Sequence, residues 1–354
     1  GAQVLVTDLK SSAELKPSLQ KLQKYKNIKY VLGKHRLKDF QNCDFVLKGQ
    51  GVALDSPYVA HARNKGIPIE MDESLFTKLA PKVKIIGVTG TRGKSTTTLL
   101  IYEILKQAFN NPSSTFGIKK PKVFLGGNIK GTAALPLLKE MKDGDMVVFE
   151  LSSWQLQGFG EAKISPHISV FTNFMPDHMN YYQNSLKQYF GDKSYIYKFQ
   201  KKKDVLILGP SMKNSIKGAK GKIIKTSLKN LPKSWHIELK GRHNLENIVC
   251  AIEVGRLFKI KDTIIKKVVK NFKAIEGRLE LAKNIKNVDI YNDTNSTTPE
   301  ATIAALNSFD KKVILIMGGM DKGLDTRKLE AMLPKKTKKI FMIPGSGGEK
   351  IKST

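Results

Sequence analysis

The chain is poor in cysteine, and it lacks any long uninterrupted hydrophobic run. Cys43 and Cys250 are the only cysteines among 354 residues, which is too few for a disulfide framework or a cysteine-based metal site. We therefore expect two buried thiols in a reducing compartment. No apolar segment reaches the ~20 residues that a bilayer-spanning helix needs. We accordingly expect no membrane association and a cytoplasmic location.

Arginine is also scarce, and this scarcity argues against a nucleic-acid-binding protein. The formal net charge is +30, yet only seven of the 61 basic residues are arginine. Arginine supplies the planar fork that reads bases and phosphates, and the lysines are scattered along the whole chain. We expect no specific nucleic-acid partner, although the positive field would attract small anionic substrates. A nucleic-acid-dependent ATPase remains the competing interpretation, and it predicts a steep salt dependence of binding.

The most informative segment is Gly-Thr-Arg-Gly-Lys-Ser at residues 90–95. An apolar run at residues 83–88 precedes it and a helical pattern follows it, as in strand–loop–helix phosphate sites. Glycines let the backbone wrap closely around phosphate, and a helix N-terminus adds unpaired N–H groups. Lys94 is suited to the terminal phosphates and Ser95 to Mg²⁺. The segment predicts a nucleoside triphosphate site, although its first glycine is at 90 rather than 88; an ordinary strand-to-helix turn is the alternative.

The alternation of apolar runs and helical patterns predicts an α/β protein with three regions, residues 1–80, 81–275 and 276–354. The second region is expected to form a doubly wound sheet with crossover helices. The chain starts at Gly1 within a strand-like pattern and stops at Thr354 within another, so we expect it to be incomplete at both ends. The predicted strands are residues 3–7, 30–32, 44–47, 83–88, 146–149, 168–172, 205–208, 288–291, 313–317 and 340–343, and the clearest helices are residues 189–199 and 243–258.

Two polar residues follow predicted strands of the second region. Glu150 follows the strand at residues 146–149, where α/β sheets bind ligands, and it could hold Mg²⁺ opposite Ser95. The alternative is that Glu150 caps the next helix. His178 follows the strand at residues 168–172 and is expected at the same edge of the sheet. A lone histidine is more often structural, so only its placement favours a functional role.

Further polar residues stand at helix starts and in loops. Asn244 and Asn247 share one face at the start of a helix, and their amides suit a base or ribose edge; capping by Asn244 is the alternative. In the third region, residues 291–300 and 318–322 form polar runs after strands. Such runs are typical of ligand-facing loops, or of solvated connections.

Taken in order, several of these segments resemble the Mur ligase family of ATP-dependent amide ligases. Residues 89–96 look like the family's phosphate loop, which accounts for the glycine spacing. Residues 149–156, Phe-Glu-Leu-Ser-Ser-Trp-Gln-Leu, are similar to a stretch typical of the branch that adds D-glutamate. Residues 177–178, 241–244 and 292–294 follow in family order, and the resemblance covers essentially the whole chain.

The resemblance implies a three-domain architecture and a reaction. A Rossmann-like UDP-binding domain would span residues 1–80, a P-loop ATPase domain 81–275, and a partial Rossmann-like domain 276–354. The implied reaction is ligation of D-glutamate to UDP-N-acetylmuramoyl-L-alanine through an acyl phosphate, by a cytoplasmic monomer that makes peptidoglycan precursors. Another Mur-type or folylpolyglutamate-type ligase, or a paralogue that only binds nucleotide, would show a similar pattern.

The resemblance also implies residue roles. Lys94 and Ser95 would serve the ATP phosphates and a first Mg²⁺, with Glu150 near that ion. His178 and Lys193 would hold a second Mg²⁺, with Lys193 as its carbamate, because Mg²⁺ prefers anionic oxygen ligands. The other implied contacts are Gly90, Thr91, Gly93, Thr96, Asn244, Asn247, Arg278 and Asp293 with ATP, Asn128 and Ser152 with the muramoyl substrate, and Thr297 and Lys322 with D-glutamate.

Overall fold

The computed structural model describes residues 2–53, 55–109, 120–212, 216–321 and 323–352. Strands and helices alternate along these residues, as predicted for an α/β protein. The strands are β1 (Val4–Asp8), β2 (Ile28–Leu32), β3 (Val46–Leu47), β4 (Ile69–Glu70), β5 (Lys84–Thr89), β6 (Val123–Gly127), β7 (Met146–Glu150), β8 (Ile168–Phe171), β9 (Val205–Leu208), β10 (Lys222–Lys225), β11 (Glu280–Ile285), β12 (Val288–Asn292), β13 (Val313–Gly318) and β14 (Thr337–Ile343).

The helices follow the same order along the chain. They are α1 (Lys16–Leu22), α2 (Pro57–Asn64), α3 (Asp72–Leu79), α4 (Lys94–Phe109), α5 (Ser153–Ala162), α6 (Leu186–Lys198), α7 (Arg242–Leu257), α8 (Asp262–Asn271), α9 (Pro299–Leu306), α10 (Arg327–Glu330), α11 (Leu333–Lys336) and α12 (Ser346–Lys352). Short 3₁₀ helices occupy Leu37–Phe40, Leu135–Lys139 and Leu228–Asn230.

The centre of the molecule is a six-stranded parallel sheet in the order β10-β9-β8-β5-β7-β6. Strand β5 pairs with β7 on one side and with β8 on the other. Its inner residues are buried on both faces, as expected for an apolar parallel strand covered by helices. Because parallel strands end at the same edge, the segments that follow β5, β7 and β8 meet there.

Helices cover both faces of this sheet, which confirms the predicted doubly wound arrangement. On one face, α4, α7 and α8 pack over Ile86 and Val88 of β5. On the other face, α3, α5 and α6 pack around Ile85 and Phe149. Side chains alternate between the two faces along each strand, so β5 contributes to both cores.

Smaller sheets flank the central one. β1 with β2, and β3 with β4, form parallel pairs before residue 80. β11 and β12 form an antiparallel hairpin, and β13 and β14 form a parallel pair over α9 to α12. The predicted strands are confirmed to within a few residues. Four strands were not predicted: β4 has only two residues, β6 ends in two glycines, and β10 and β11 contain exposed polar residues instead of an apolar run.

The two cysteines differ from the expectation that both are buried. Cys250 is buried on α7, and burial raises the pKa of its thiol to about 12. Cys43 is exposed, so the expectation is wrong for this residue. It lies in an irregular segment beside Phe45, which is itself exposed despite being apolar. None of the helices described is long and apolar enough to cross a membrane.

Candidate active site at the phosphate loop

Residues 90–93 connect β5 to α4 in a conformation that depends on glycine. Gly93 has φ +79°, in the left-handed region, and Gly90 has φ +150°. A Cβ at Gly90 would lie 1.9 Å from Thr172 Oγ1, and a Cβ at Gly93 would lie 2.1 Å from Asn247 Oδ1. Both glycines are therefore required for the loop to approach the end of β8 and helix α7.

The loop is held by the segment that follows β8. The Thr91 N–H donates to the Asn173 carbonyl at 3.0 Å, and the Arg92 N–H donates to Asn173 Oδ1 at 2.9 Å. The Thr172 hydroxyl donates to the Arg92 carbonyl at 2.6 Å. The first N–H groups of a helix lack intrahelical acceptors. The N–H groups at the start of α4 are therefore suited to bind an anion.

Lys94 points back into this loop. Its Nζ lies 3.1 Å from the carbonyl oxygens of both Gly90 and Thr91. Burial lowers the pKa of its ammonium, and the negative charge of Glu150 opposes that shift. The ammonium therefore has weak carbonyl partners that phosphate oxygens could replace with stronger, charge-assisted ones.

Glu150 ends β7 beside the loop and is only 2% exposed. The Asn128 side-chain amide donates to its Oε1 at 2.9 Å, and the Asn128 N–H donates to its main-chain carbonyl at 2.9 Å. Its Oε2 is buried and accepts no hydrogen bond from the described part of the chain. A buried, half-satisfied carboxylate is costly unless a cation or donor completes it.

Glu150 does not cap the following helix, so that alternative is wrong. Ser152 is the N-cap of α5: its Oγ accepts from the Gln155 N–H at 3.2 Å, and its own N–H donates to Gln155 Oε1 at 2.8 Å. The Gln155 Nε2 in turn donates to Glu73 Oε1 on α3 at 2.5 Å. Ser152, predicted to contact the muramoyl substrate, is thus also a structural cap.

Lys193 lies on α6, directly behind the loop. It is 1% exposed, and its Nζ donates to the Gly90 carbonyl at 2.9 Å. The same Nζ lies 4.8 Å from the centre of the Tyr189 ring. Burial, reinforced by the charge of Lys94, holds the pKa of this ammonium well below its usual range. Burial therefore favours the neutral amine of Lys193 over its ammonium form.

His178 follows β8 in the left-handed region, with φ +54°. Its ring centre lies 4.8 Å from that of Trp154, and its Nε2 lies 3.7 Å from Asp177 Oδ2. Burial lowers the pKa of the imidazole, while Asp177 raises it and Lys193 lowers it further. The neutral imidazole that ligates metals is therefore favoured.

No three His, Cys, Asp or Glu side chains converge on one point within the ranges that the structure describes. Of the four predicted metal ligands, only Glu150 and His178 are of these types. The roles of Ser95, Glu150, His178 and Lys193 at a metal therefore stay predictions. Ser95, Glu150 and His178 lie beside the loop or after the strands next to it, and Lys193 reaches the loop from α6 through the Gly90 carbonyl.

The two predicted nucleotide-binding asparagines lie beside the loop. Asn247 is 3% exposed, and its Nδ2 donates to Asn244 Oδ1 at 3.3 Å. The Asn244 amide donates to the Lys240 carbonyl at 2.8 Å. The N-cap of α7 is Gly241, so the alternative that Asn244 caps this helix is wrong.

The predicted residues of the third region approach the same place. Arg278 is close enough that its charge contributes to lowering the pKa of Lys94, after burial. Asp293 accepts from the Leu279 N–H at 2.8 Å, so its carboxylate also orders the turn that carries Arg278. Thr297 is exposed, and Lys322 lies outside the described residues.

Sequence reasoning missed Arg92 and Asp177 as parts of this site. The Arg92 guanidinium lies 3.1 Å from Asp177 Oδ2 and 3.1 Å from Thr298 Oγ1 at the start of α9. Asn173, which shapes the loop backbone, was missed as well. Asn173 follows the strand at residues 168–172 directly and Asp177 lies in the same loop, and that position was the available signal.

Comparisons with known proteins agree with this geometry. Residues 88–235 match the family model described as the Mur ligase middle domain. The UDP-N-acetylmuramoylalanine–D-glutamate ligase of Roseiflexus sp. is 32% identical over 385 residues, covering 99% of this chain and 79% of that protein. In fold, the chain is similar to UDP-N-acetylmuramate-alanine ligase MurC from Thermotoga maritima, with a TM-score of 0.59, 18% identity and coverage of 99% and 87%. It is also similar to MurF ligase from the same organism, solved in complex with ADP, with a TM-score of 0.56, 19% identity and coverage of 88% and 87%.

Proposed function

The chain belongs to the Mur ligase family, and on that premise we propose that it ligates D-glutamate to UDP-N-acetylmuramoyl-L-alanine with conversion of ATP to ADP and phosphate. This is a step in the synthesis of peptidoglycan precursors. One observation carries the proposal. A D-glutamate ligase aligns along 99% of the chain, and the aligned residues form a phosphate loop next to Glu150 and to the segment after β8.

The reaction has two chemical steps. The terminal carboxylate of the muramoyl substrate attacks the γ-phosphorus of ATP, forming an acyl phosphate and releasing ADP. The amine of D-glutamate then attacks the acyl carbon, the amide bond forms, phosphate leaves, and the amine gives up a proton to solvent or to phosphate. Both steps bring negatively charged reactants together, so they require positive charge and close positioning.

The residues of the loop supply that charge and position. Lys94 would leave the carbonyls of Gly90 and Thr91 for the terminal phosphates, a change that the helix N-terminus of α4 supports. Lys94 is partly buried, so water screens its attraction for phosphate less than it would at an exposed site. The residues proposed to hold the nucleotide are Asn244, Asn247, Arg278 and Asp293.

The donor set at the loop fits Mg²⁺. The observation is the buried Oε2 of Glu150, which lacks a partner among the described residues, beside the hydroxyl-bearing first turn of α4. We assign Ser95 and Glu150 to a first ion, and His178 with Lys193 to a second. When bound, Mg²⁺ neutralises phosphate oxygens and so favours attack by an anion.

Lys193 is assigned as a carbamate. Its neutral amine would add to CO₂ with loss of one proton, giving an anionic oxygen ligand of the kind Mg²⁺ requires. Two features support this: the side chain is 1% exposed, and burial lowers its pKa well below the usual value. An unmodified ammonium could not ligate a cation.

The substrate contacts are assigned to the residues that flank the loop. Asn128 and Ser152 are proposed to meet the muramoyl substrate, and both lie after the sheet strands next to Glu150. Thr297 and Lys322 are proposed to bind the D-glutamate carboxylates. Thr297 precedes the N-cap of α9, which approaches the loop through Arg92.

We further propose three domains, residues 1–80, 81–275 and 276–354, in a cytoplasmic monomer. The separate small sheets on either side of the six-stranded sheet support this division. Closure of the third domain onto ATP would exclude water from the acyl phosphate. The scarcity of arginine supports the absence of a specific nucleic-acid partner.

The test is phosphate release from ATP and Mg²⁺ with UDP-N-acetylmuramoyl-L-alanine present. D-glutamate, L-glutamate, L-lysine and meso-diaminopimelate are added singly, and the product mass is measured. We expect release only with D-glutamate. Release with another amino acid would assign the chain to another ligase of the family. Release stimulated only by DNA or RNA would favour a nucleic-acid-dependent ATPase.

A further inference from the structure

Arg92 lies in the phosphate loop but has no role in the proposed function. Its main chain is fixed, because the N–H donates to Asn173 Oδ1 at 2.9 Å and the carbonyl accepts from Thr172 Oγ1 at 2.6 Å. Lys94, two residues later, bonds to the carbonyls of the loop itself. The positively charged side chain of Arg92, unlike that of Lys94, therefore extends away from the loop.

The guanidinium of Arg92 joins two separate segments. One nitrogen donates to Asp177 Oδ2 and the other to Thr298 Oγ1, both at 3.1 Å. A planar fork with five N–H donors can hold two acceptors at fixed angles, whereas a lysine ammonium lacks this geometry. The Arg92 and Asp177 side chains are only 30% and 17% exposed, respectively, so water competes weakly for these bonds.

Thr298, which accepts the bond from Arg92, lies at the start of α9. Its hydroxyl accepts from the Ala301 N–H and so caps α9. Its neighbour Thr297 is the residue assigned to a D-glutamate carboxylate. A second contact joins residues 81–275 to residues 276–354: the Lys240 ammonium lies over the rings of Tyr291 and Phe309. The bond from Arg92 to Thr298 is thus a further contact between these regions, and it lies at the start of α9.

We propose that Arg92 is a positioning residue that aligns the amino-acid-binding loop before α9 with the phosphate loop, through Thr298 and Asp177. The proposal rests on the proposed function, because it assigns Arg92 to the second step of that reaction. When the acyl phosphate forms on the loop, the amine of the amino acid must approach its carbonyl carbon at close range. Arg92 sets that approach without touching the reacting atoms.

The kinetic test uses Arg92→Lys, Arg92→Gln and Thr298→Val. Loss of a hydrogen bond to a charged group predicts a rise of about 10-fold or more in KM for D-glutamate, with KM for ATP changed less than about 2-fold. Arg92→Lys keeps the charge and is expected to resemble Arg92→Gln, because the fork is lost. The double variant Arg92→Gln/Thr298→Val is expected to show less than the sum of the two single effects, since both single variants lose the same bond between Arg92 and Thr298.

Arg256→Gln is the matched control. Arg256 is also paired with an aspartate, Asp262, at 3.0 Å, and its side chain is 34% exposed, but it lies at the far end of α7. We expect its KM values to equal those of the unmodified protein. A rise in KM for ATP alone, or additive effects of Arg92→Gln and Thr298→Val, would overturn the proposal.

Amide hydrogen exchange tests the contact without any turnover. We expect Arg92→Gln and Thr298→Val to speed exchange at residues 297–302 by about 10-fold, while Arg256→Gln leaves it unchanged. Unchanged exchange in Arg92→Gln would overturn the proposal even if the protein is active. If the unmodified protein makes no D-glutamyl product, the proposed function fails, and this exchange measurement still decides whether Arg92 positions the start of α9.

Discussion

The Lys193 side chain donates to the main-chain carbonyl of Gly90 across 2.9 Å. This bond connects α6 with the glycine that begins the phosphate loop, although the two residues are 103 positions apart. A buried lysine therefore lies against the site where the triphosphate is proposed to bind. Whether the Lys193 side chain is an ammonium, a neutral amine or a carbamate determines the charge beside that site.

Carbamylation of Lys193 is testable directly. We expect protein equilibrated with ¹³C-bicarbonate to show a carbamate signal by NMR, and Lys193→Ala to lose both that signal and at least about 100-fold in activity. Because burial lowers the pKa of the amine, the carbamate should form near neutral pH and be lost on acidification. Lys187→Ala, an exposed lysine on the same helix, should keep signal and activity. A signal that survives in Lys193→Ala would contradict the assignment.

Replacement of Glu150 by glutamine tests the assigned metal ligand. Glutamine keeps the shape and can still accept from Asn128, so we expect the melting temperature to stay nearly constant. Without the carboxylate, the Mg²⁺ concentration for half-maximal activity should rise by about 10-fold or more. The exposed Asp143→Asn serves as the control. An unchanged Mg²⁺ titration of Glu150→Gln would remove Glu150 from the metal site.

Gly93→Ala should abolish ATP binding, measured by isothermal titration calorimetry. Its Cβ would meet Asn247 Oδ1 at 2.1 Å, in addition to the strain of φ +79°. Gly144 has φ +89°, but a Cβ at that position would lie in open space. Gly144→Ala is therefore the control for strain alone, with a cost of about 1 kcal/mol in unfolding free energy and normal ATP affinity. Equal ATP affinities in the two variants would show that the close approach of Gly93 to Asn247 does not matter.

We expect the buried carboxyl of Glu73 to make the free energy of unfolding depend on pH. Burial raises the pKa of its carboxyl to about 7, and the bond from Gln155 offsets only part of this. The folded protein thus holds a proton that the unfolded chain has lost, so stability falls as pH rises from about 4.5 to about 7. Glu73→Gln imitates the protonated acid and should stabilise the protein by roughly 3 kcal/mol at pH 8, and by much less at pH 5.

Urea unfolding at the two pH values measures this difference. Glu140→Gln is the control, because Glu140 is exposed, and we expect the same small effect at both pH values. A stabilisation by Glu73→Gln that is equal at pH 5 and pH 8 would contradict the argument.

Local pattern was enough to predict most strands of the central sheet. Residues 83–88, 146–149 and 205–208 are apolar runs, and each was confirmed as a buried parallel strand. Strands β4 and β6 were missed because β4 has only two residues and β6 ends in two glycines. Strands β10 and β11 were missed because their lysines and other polar residues give no apolar run. Pairing with β9 and β12 stabilises these two strands although their polar residues have a weak intrinsic preference for the strand conformation.

The sequence by itself determined the chemistry of the phosphate loop. Gly90, Gly93 and Lys94 are close together in the chain, and the backbone conformation and charge that a phosphate needs are local properties. It also determined the α/β class, since the period of apolar residues depends only on neighbours in the chain.

Only the tertiary structure decided which distant side chains meet that loop. Lys193 is one of 54 lysines, and nothing local separates it from the others until α6 packs behind β5 and buries its amine. Likewise, the bonds from Arg92 to Asp177 and Thr298 span 85 and 206 positions. Contacts of that range depend on how the helices pack on the sheet, and so on the combined fit of many side chains rather than on any short motif.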